Sequence, residues 1–290
     1  MTTTNDRPPL AVIYLNRAAT EAERAGRKRF ITAYQRFRPQ VAHTLYVVNK
    51  GFADDQLCYQ YALFEDIKPR FIDVNDEGFD LEAYRKAASQ IEEPIVFFMN
   101  THSEPLQNGW LDKVYTTFIS SDQIGLVGCS GNMETHHPAP GFLKFPNYHV
   151  RSNGFMLATR DYLDILGDRS INSKIEAYQL EAGQASLTNM IQSTGRKALV
   201  VGKQGAVLPQ HLWRAGIFRS GQQRNLLLAD NQTRLYQNAS LLKKLMVWLI
   251  SYTHLSRVYP FQRLWFYLVV RVFSPLQFYG SALHKKITNK

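Results

Sequence analysis

The chain has 290 residues, of which 45% are hydrophobic and 20% are charged, and this composition excludes a disordered or collagen-like protein. The length suits one large α/β domain with or without an appendage, because single hydrophobic cores stop growing near this size. The net charge of +10 is concentrated at one end, since twelve Lys and Arg residues and one acidic residue, Asp230, lie between Trp213 and Lys290.

Two features of the sequence bear on where the protein works. Met1 to Pro9 is polar and lacks the apolar stretch of a secretory signal, and no window reaches the roughly 18 consecutive apolar residues of a spanning helix. Cys58 and Cys129 are interpreted as buried thiols in a reducing compartment. We therefore expect a cytoplasmic protein.

Apolar runs predict strands, and helically spaced apolar residues predict helices between them. The predicted strands are 10–15, 44–48, 70–74, 94–99, 124–127, 150–158 and 197–201. The predicted helices are 18–38, 54–64, 80–91, 110–119, 161–166 and 175–193. Alternation of helices with almost continuously apolar strands is typical of a parallel sheet covered on both faces.

The carboxyl edge of this predicted sheet is the expected position of a site. Ligands of parallel α/β sheets bind beyond the carboxyl ends of the strands. The loops that begin at Asn16, Asn49, Val74 and Asn100 all open on that edge. Their polar residues are therefore the first candidates for binding.

The fourth predicted strand runs into Asn-Thr-His-Ser-Glu-Pro-Leu-Gln-Asn-Gly-Trp-Leu, residues 100–111. An apolar strand followed by polar residues, a Pro and a Trp-Leu resembles the signature region of GT-A-fold glycosyltransferases, especially family 2-like enzymes of bacterial surface polysaccharide biosynthesis. In that family an Asp-x-Asp motif at the strand end holds Mg²⁺ or Mn²⁺ against the diphosphate of the sugar donor. Asn100 and His102 stand where the two aspartates would be.

This degenerate motif leaves two alternatives for the donor diphosphate. His102 could ligate a divalent cation, Mg²⁺ or Mn²⁺, with Asn100 beside it in the donor site. Alternatively, donor binding could need no metal and rely on backbone N–H groups and cationic side chains.

The resemblance covers roughly residues 8–210. It implies a GT-A (nucleotide-diphospho-sugar transferase) fold, with a mostly parallel central sheet flanked by helices and a C-terminal helical extension. It also implies that Asn16 and Arg17 contact the nucleotide of the donor. Glu181 lies near the position of the family's catalytic base, with Glu176 as the rival.

Several other polar residues are weaker candidates for the donor site. Arg151 precedes Ser-Asn-Gly at a strand end and could clamp a phosphate in a bidentate manner. His211 follows the last predicted strand, in a region where some enzymes of this fold complete their metal site. His136 and His137 lie in a Pro-rich loop and could touch a phosphate of the donor or the acceptor.

The predicted domain boundary separates residues 1–212, the catalytic domain, from residues 213–290, a basic aromatic extension. In the extension, Leu and aromatic residues are interleaved with Lys and Arg, which predicts short helices on an anionic membrane surface, at the inner face of the plasma membrane. The alternative is that these helices pack on the catalytic domain or on a second subunit. Nucleic acid is disfavoured because the cations sit among large aliphatic residues.

Together these features predict a hexosyltransferase that moves a sugar from a nucleotide-diphosphate donor to a glycan or lipid-linked acceptor. The alternative is a non-catalytic relative that binds nucleotide-sugar or glycan and organises a biosynthetic complex. The missing acidic pair keeps this alternative open.

Overall fold

The computed structural model describes residues 7–17, 19–135 and 141–253. The strands are β1 Leu10–Asn16, β2 Thr44–Lys50, β3 Arg70–Val74, β4 Ile95–Met99, β5 Glu104–Pro105, β6 Ile124–Gly128, β7 Gly131–Asn132, β8 His149–Val150, β9 Gly154–Ala158, β10 Lys197–Val201, β11 Val207–Leu208 and β12 Leu228–Ala229. The helices are α1 Glu21–Arg36, α2 Asp54–Leu63, α3 Asp80–Ala88, α4 Trp110–Phe118, α5 Thr159–Leu166, α6 Lys174–Ala182, α7 Leu187–Ser193, α8 Asn231–Gln237 and α9 Leu241–Tyr252.

The central sheet has eight strands in the order β11-β10-β6-β9-β4-β1-β2-β3. Strand β1 pairs in parallel with β4 and β2, β2 pairs in parallel with β3, and β6 pairs in parallel with β10. Strand β11 is antiparallel to β10. Strand β9 lies antiparallel between β4 and β6. The predicted class, an α/β fold with a mostly parallel central sheet flanked by helices, is confirmed.

Both faces of the sheet are buried, as the continuous apolar strands predict. Alternate residues of β1 belong to different cores: Ala11, Ile13 and Leu15 face one, and Leu10, Val12 and Tyr14 face the other. A strand with helices on both faces needs apolar residues at every position, because successive side chains point in opposite directions.

Helix α1 begins later than predicted, at Glu21. Thr20 caps it: the Thr20 hydroxyl accepts from the Glu23 N–H at 3.3 Å, and the Glu23 carboxylate accepts from the Thr20 N–H at 2.8 Å. This reciprocal capping box fixes the first turn of α1 at the carboxyl edge of β1.

The prediction of a single helix over 175–193 is wrong, because the chain forms two helices there, α6 and α7. A Cβ on Gly183 would lie 2.5 Å from the Gln179 carbonyl oxygen, so the backbone at this break passes too close to α6 for any larger residue. The Ser186 side chain then caps α7 by accepting from the Asn189 N–H.

The strand predicted over 150–158 is interrupted by a turn at residues 151–153, which separates β8 from β9. Gly154 pairs with Met99, the last residue of β4. The antiparallel direction of β9 therefore brings the 151–153 turn to the carboxyl edge of β4.

The segment that follows residue 212 packs against this sheet body as far as it is described. Trp213 is fully buried, and β12 pairs with β5. Helix α9 leaves three leucines exposed: Leu241 at 86%, Leu242 at 66% and Leu245 at 54%. The boundary at residue 212 stays a prediction, and the predicted amphipathic segments beyond Thr253 lie outside the described residues.

Two further expectations can be compared with the structure. Of the predicted buried thiols, Cys129 is confirmed, whereas Cys58 is exposed on α2. Among the helices described over 7–17, 19–135 and 141–253, none is both long enough and apolar enough to cross a bilayer.

Candidate functional site

Polar side chains form a ladder across the carboxyl ends of β1, β2 and β3. Asn16, Asn49 and Asp73 are register partners, and each amide donates to the next side chain, at 2.7 Å and 2.8 Å. The Asn16 amide also donates to Gln60 at 3.2 Å. Asn16, a predicted nucleotide contact, is at the expected edge, but its side chain is fully buried and holds the ladder together.

Arg17, the second predicted nucleotide contact, lies beside this ladder with its side chain one-third exposed. Its guanidinium pairs with Asp76 at 3.4 Å and with Glu23 at 4.0 Å. Lys50, at the end of β2, donates to Asp76 at 2.7 Å from a buried position. The hydrogen bond from Lys50 is the main reason why the pKa of Asp76 is lowered. Two cations thus converge on one carboxylate at this edge.

Asn100 and His102 form a turn after β4. The Asn100 side-chain oxygen accepts from the His102 N–H at 2.9 Å, and the Asn100 N–H donates to the Ser103 hydroxyl oxygen at 3.1 Å. His102 is half-buried, and burial, followed by the nearby Arg234, lowers its pKa. Its Nδ1 is buried without a hydrogen-bond partner among the described residues.

This turn is connected to the predicted base, Glu181. The Ser103 hydroxyl donates to the Asn153 carbonyl, in the turn before β9. In the same turn, Ser152 donates to Glu181 Oε2 from its backbone N–H, at 3.1 Å, and from its hydroxyl. A continuous series of contacts therefore runs from Asn100 to Glu181, although the two residues are far apart in sequence.

Glu176, the rival for the base, has a structural task. Its carboxylate accepts from the N–H groups of Asn172 and Ser173 at 2.9 Å and 2.7 Å, as the capping box of α6. The hydrogen bonds from Ser173 and Asn172 lower the pKa of Glu176. Glu181 is the better placed of the two carboxylates, because it lies at the carboxyl edge of the sheet.

Asp80 is a further carboxylate near the site. It is the first residue of α3, and Phe79 occupies the cap position. Burial raises the pKa of Asp80, as do Glu23 and Glu181, while Arg17 and Lys50 oppose the shift. Asp80 therefore lies in the field of both the cationic end of the site and the predicted base.

Arg151, a predicted phosphate clamp, is buried and already paired. Its guanidinium donates to Asp230 at 2.7 Å and to the Ser130 hydroxyl at 3.3 Å, and it lies 3.8 Å from the centroid of the Phe218 ring. In this arrangement Arg151 anchors the C-terminal segment rather than facing solvent.

His211 is not brought to the other candidates. It is exposed on a short 3₁₀ helix, Gln210–Leu212, and among the described residues it makes no hydrogen bond or ion pair with the turn after β4. His136 and His137 lie outside the described residues.

The residues at the end of β4 do not fit Mg²⁺ or Mn²⁺, which prefer several oxygen ligands. The Asn100 side-chain oxygen already accepts from the His102 N–H at 2.9 Å, and the Glu104 carboxylate already pairs with Arg234 at 2.7 Å and with Arg29 at 3.9 Å. This turn therefore offers a cation an imidazole and no carboxylate that lacks a cationic partner. In the described part of the chain, no group of three or more His, Cys, Asp and Glu residues could hold a metal ion.

Comparison with protein-family models and with curated proteins finds no match. Among solved structures, a mannosyltransferase from Pyrobaculum calidifontis in complex with GDP-Man and Mn²⁺ aligns over 73% of this chain and 60% of its own, with 14% identity and a TM-score of 0.48. GalNAc-T7 with UDP, GalNAc and Mn²⁺ aligns over 68% and 43%, with 12% identity and a TM-score of 0.47. The 4-diphosphocytidyl-2C-methyl-D-erythritol synthase from Anaerococcus prevotii aligns over 72% and 93%, with 8% identity and a TM-score of 0.45.

The chain thus spans 60% and 43% of the two glycosyltransferases. Likeness at TM-scores below 0.5 carries no argument about activity, which depends on the side chains of a site rather than on the fold.

Proposed function

We propose that this protein is a glycosyltransferase that moves a hexose from a nucleotide-diphosphate donor to a glycan or lipid-linked acceptor in cell-surface polysaccharide assembly. The observation that carries this proposal is the series of contacts from Asn100, after β4, through Ser103 and the 151–153 turn to Glu181 on α6. It holds a carboxylate beside the strand-end loop, where ligands of parallel α/β sheets bind.

In the proposed transfer, the Glu181 carboxylate takes the proton from the acceptor hydroxyl while that oxygen attacks the anomeric carbon of the donor sugar. The bond from the anomeric carbon to the diphosphate oxygen breaks, and the diphosphate leaves with the electron pair. The Ser152 N–H and hydroxyl orient the carboxylate, because both donate to the same oxygen, Oε2.

A cavity beside the same helix suits the acceptor. It has a volume of about 600 Å³, within the range of small-molecule sites. Leu166, Ile171 and Leu180 supply apolar surface, and the polar side chains Asp168, Arg169, Gln179 and Gln184 can hydrogen-bond hydroxyl groups. Glu176, Gln179 and Leu180 line the cavity from α6, the helix that also carries Glu181.

Helix α9 supports attachment to an anionic membrane surface, with the protein peripheral on the inner face of the plasma membrane. Its exposed leucines, Leu241, Leu242 and Leu245, are accompanied by Lys243 and Lys244. Apolar side chains that enter the interface next to cations that meet anionic headgroups are typical of interfacial helices. Such attachment would hold the enzyme near a lipid-linked acceptor.

The test is Glu181→Gln, which keeps the size and hydrogen bonding of the side chain but removes the base. We expect calorimetry to show unchanged binding of whichever UDP-, GDP- or dTDP-hexose the wild type binds, while turnover falls by about 10²–10⁴-fold. Glu92→Gln, at an exposed position before the amino end of β4, is the matched control, and its turnover should stay close to that of the wild type. Equal turnover of Glu181→Gln and the wild type would exclude Glu181 as the base.

A second candidate function is non-catalytic binding of a nucleotide-sugar or glycan within a biosynthetic complex. It is favoured by the two donors that Ser152 directs at Glu181, since a carboxylate held this way also serves a purely structural purpose. Binding of a nucleotide-sugar without hydrolysis or transfer in the wild type would support this candidate.

A further inference from the structure

Two arginines approach the turn after β4 from different helices. Arg234, on α8, donates to the His102 carbonyl at 2.9 Å and to the Glu104 carboxylate at 2.7 Å. Arg29, on α1, has its Nε 3.9 Å from the same Glu104 carboxylate, which is an ion-pair distance but too long for a hydrogen bond. Both guanidinium groups therefore share one carboxylate.

Helix α1 can bring Arg29 this close because it passes the turn at a glycine. A Cβ on Gly26 would lie 2.7 Å from the Thr101 carbonyl oxygen and 3.0 Å from His102 Nδ1. The close approach puts the two arginines next to the residues that replace the acidic motif of the resembled family.

The two arginines at the turn after β4 outnumber the carboxylates that pair with them. Glu104 is the only carboxylate that pairs with Arg29 or Arg234 in the described part of the chain. The Nε of Arg29 is buried, and no hydrogen-bond acceptor for it is present among the described residues. The Arg29 side chain is 37% exposed, so an anion can approach its guanidinium from solvent and supply acceptor oxygens.

His102 adds a third group. Its Nδ1 faces α1 without a hydrogen-bond partner among the described residues. With its proton on Nε2, the neutral ring can donate a hydrogen bond to an anion.

We propose that Arg29, Arg234 and His102 form a direct binding site for the diphosphate of the sugar donor, which therefore binds without a divalent cation. Guanidinium groups match phosphate oxygens in a bidentate geometry, and fixed positive charge stabilises the leaving diphosphate in the same way as a metal. The identity of the ligand rests on the function proposed above, whereas the anion site itself rests only on these residues.

The experiment is calorimetry of the full chain with a panel of UDP-, GDP- and dTDP-hexoses and with inorganic pyrophosphate, each in EDTA and in Mn²⁺. We expect the dissociation constant in EDTA to lie within about twofold of that in Mn²⁺. Because a charge-assisted hydrogen bond contributes about 1.5–3 kcal/mol, Arg234→Gln should weaken binding by about 10–150-fold.

Two further variants separate binding from folding. Arg29→Gln removes a guanidinium whose Nε has no hydrogen-bond partner among the described residues. It should weaken binding by at least about tenfold, while circular dichroism and thermal unfolding stay unchanged. Arg160→Gln, on α5 with a side chain 91% exposed, is the matched control and should bind like the wild type.

The outcomes distinguish the two proposals. Binding of a nucleotide-sugar only when Mn²⁺ or Mg²⁺ is present would overturn the arginine site and leave the proposed transferase standing. Binding of pyrophosphate that Arg29→Gln abolishes, with no binding of any nucleotide-sugar, would support the anion site and refute the transferase. Equal affinities of Arg29→Gln, Arg234→Gln and the wild type would refute the site.

Discussion

Asp230→Asn is expected to cost much of the protein's stability, because it leaves a buried arginine without its counter-ion. Asp230 is 1% exposed and Arg151 is 9% exposed, and their charged atoms are 2.7 Å apart. Asp230 also caps α8 by accepting from the Thr233 N–H at 2.8 Å. Asn caps helices as well as Asp does, so this substitution removes the charge and spares the cap.

The expected loss follows from this burial. Removing one partner of a buried ion pair costs about 3–5 kcal/mol, which is a large share of the roughly 5–15 kcal/mol by which native proteins are stable. Urea unfolding measures the difference. The control is Asp161→Asn, whose partner is Arg196 at 2.6 Å with side chains only partly buried, and its cost should be at most about 1 kcal/mol. Equal losses of unfolding free energy in the two variants would refute the argument that burial makes the Asp230–Arg151 pair costly to break.

The pH dependence of Asp230→Asn gives an independent check. Burial raises the pKa of Asp230, but Arg151 and the hydrogen bonds from Thr233 outweigh it, so the pKa is lowered from its ordinary value of 3.8. The charged form is therefore favoured by folding, and its stabilisation is complete above pH 3.8 and lost as pH falls toward the lowered pKa. The difference in unfolding free energy between the wild type and Asp230→Asn should shrink as the pH is lowered below about 4. A difference that stays constant down to pH 2 would contradict this account.

Two other variants test the donor site and the membrane surface. Gly26→Ala should weaken nucleotide-sugar binding at least tenfold in calorimetry, because the added methyl would push α1 away from the turn after β4. Unchanged affinity would show that binding does not need this close approach. The double variant Leu241→Gln with Leu242→Gln should lower binding to anionic vesicles in sedimentation by more than about tenfold, since each buried leucine contributes about 1.5–3 kcal/mol. Val207→Gln, exposed on a sheet strand, is its control, and equal losses would argue against α9 as the contact surface.

The strands of the sheet could be predicted from sequence because burial on both faces leaves a strong local signal. The run from Ile95 to Met99 is entirely buried in the structure, and the third strand, Arg70–Val74, has the predicted bounds. A short continuous apolar run bounded by polar residues is typical of a fully buried strand. Because β1 and β4 are parallel, the residues that follow them lie at the same edge of the sheet. The sequence therefore sufficed to predict this edge as the position of Asn16, Arg17, Asn100 and His102.

The sequence could not predict what depends on contacts between distant segments. Arg234 and Glu104 are 130 positions apart, and nothing near either residue indicates the other. The predicted boundary at residue 212 also put Arg234 in the basic extension rather than in the catalytic domain. The antiparallel direction of β9 could not be predicted either, because an apolar strand has the same sequence pattern in both directions. This direction brings the 151–153 turn, with Ser152, to the turn after β4.

The neutral side chains of Asn100 and His102 are electrostatically compatible with the two arginines beside them. Carboxylates at positions 100 and 102 would add negative charge to the turn that Arg234 contacts, and negative charge there would oppose the binding of an anion. With an amide and an imidazole at these positions, Glu104 is the only acidic partner of the arginines in the described part of the chain, and positive charge remains at the end of β4. Neutral groups at positions 100 and 102 offer a cation no carboxylate ligand and leave the arginines without a further acidic partner there, as the proposed binding of a diphosphate requires.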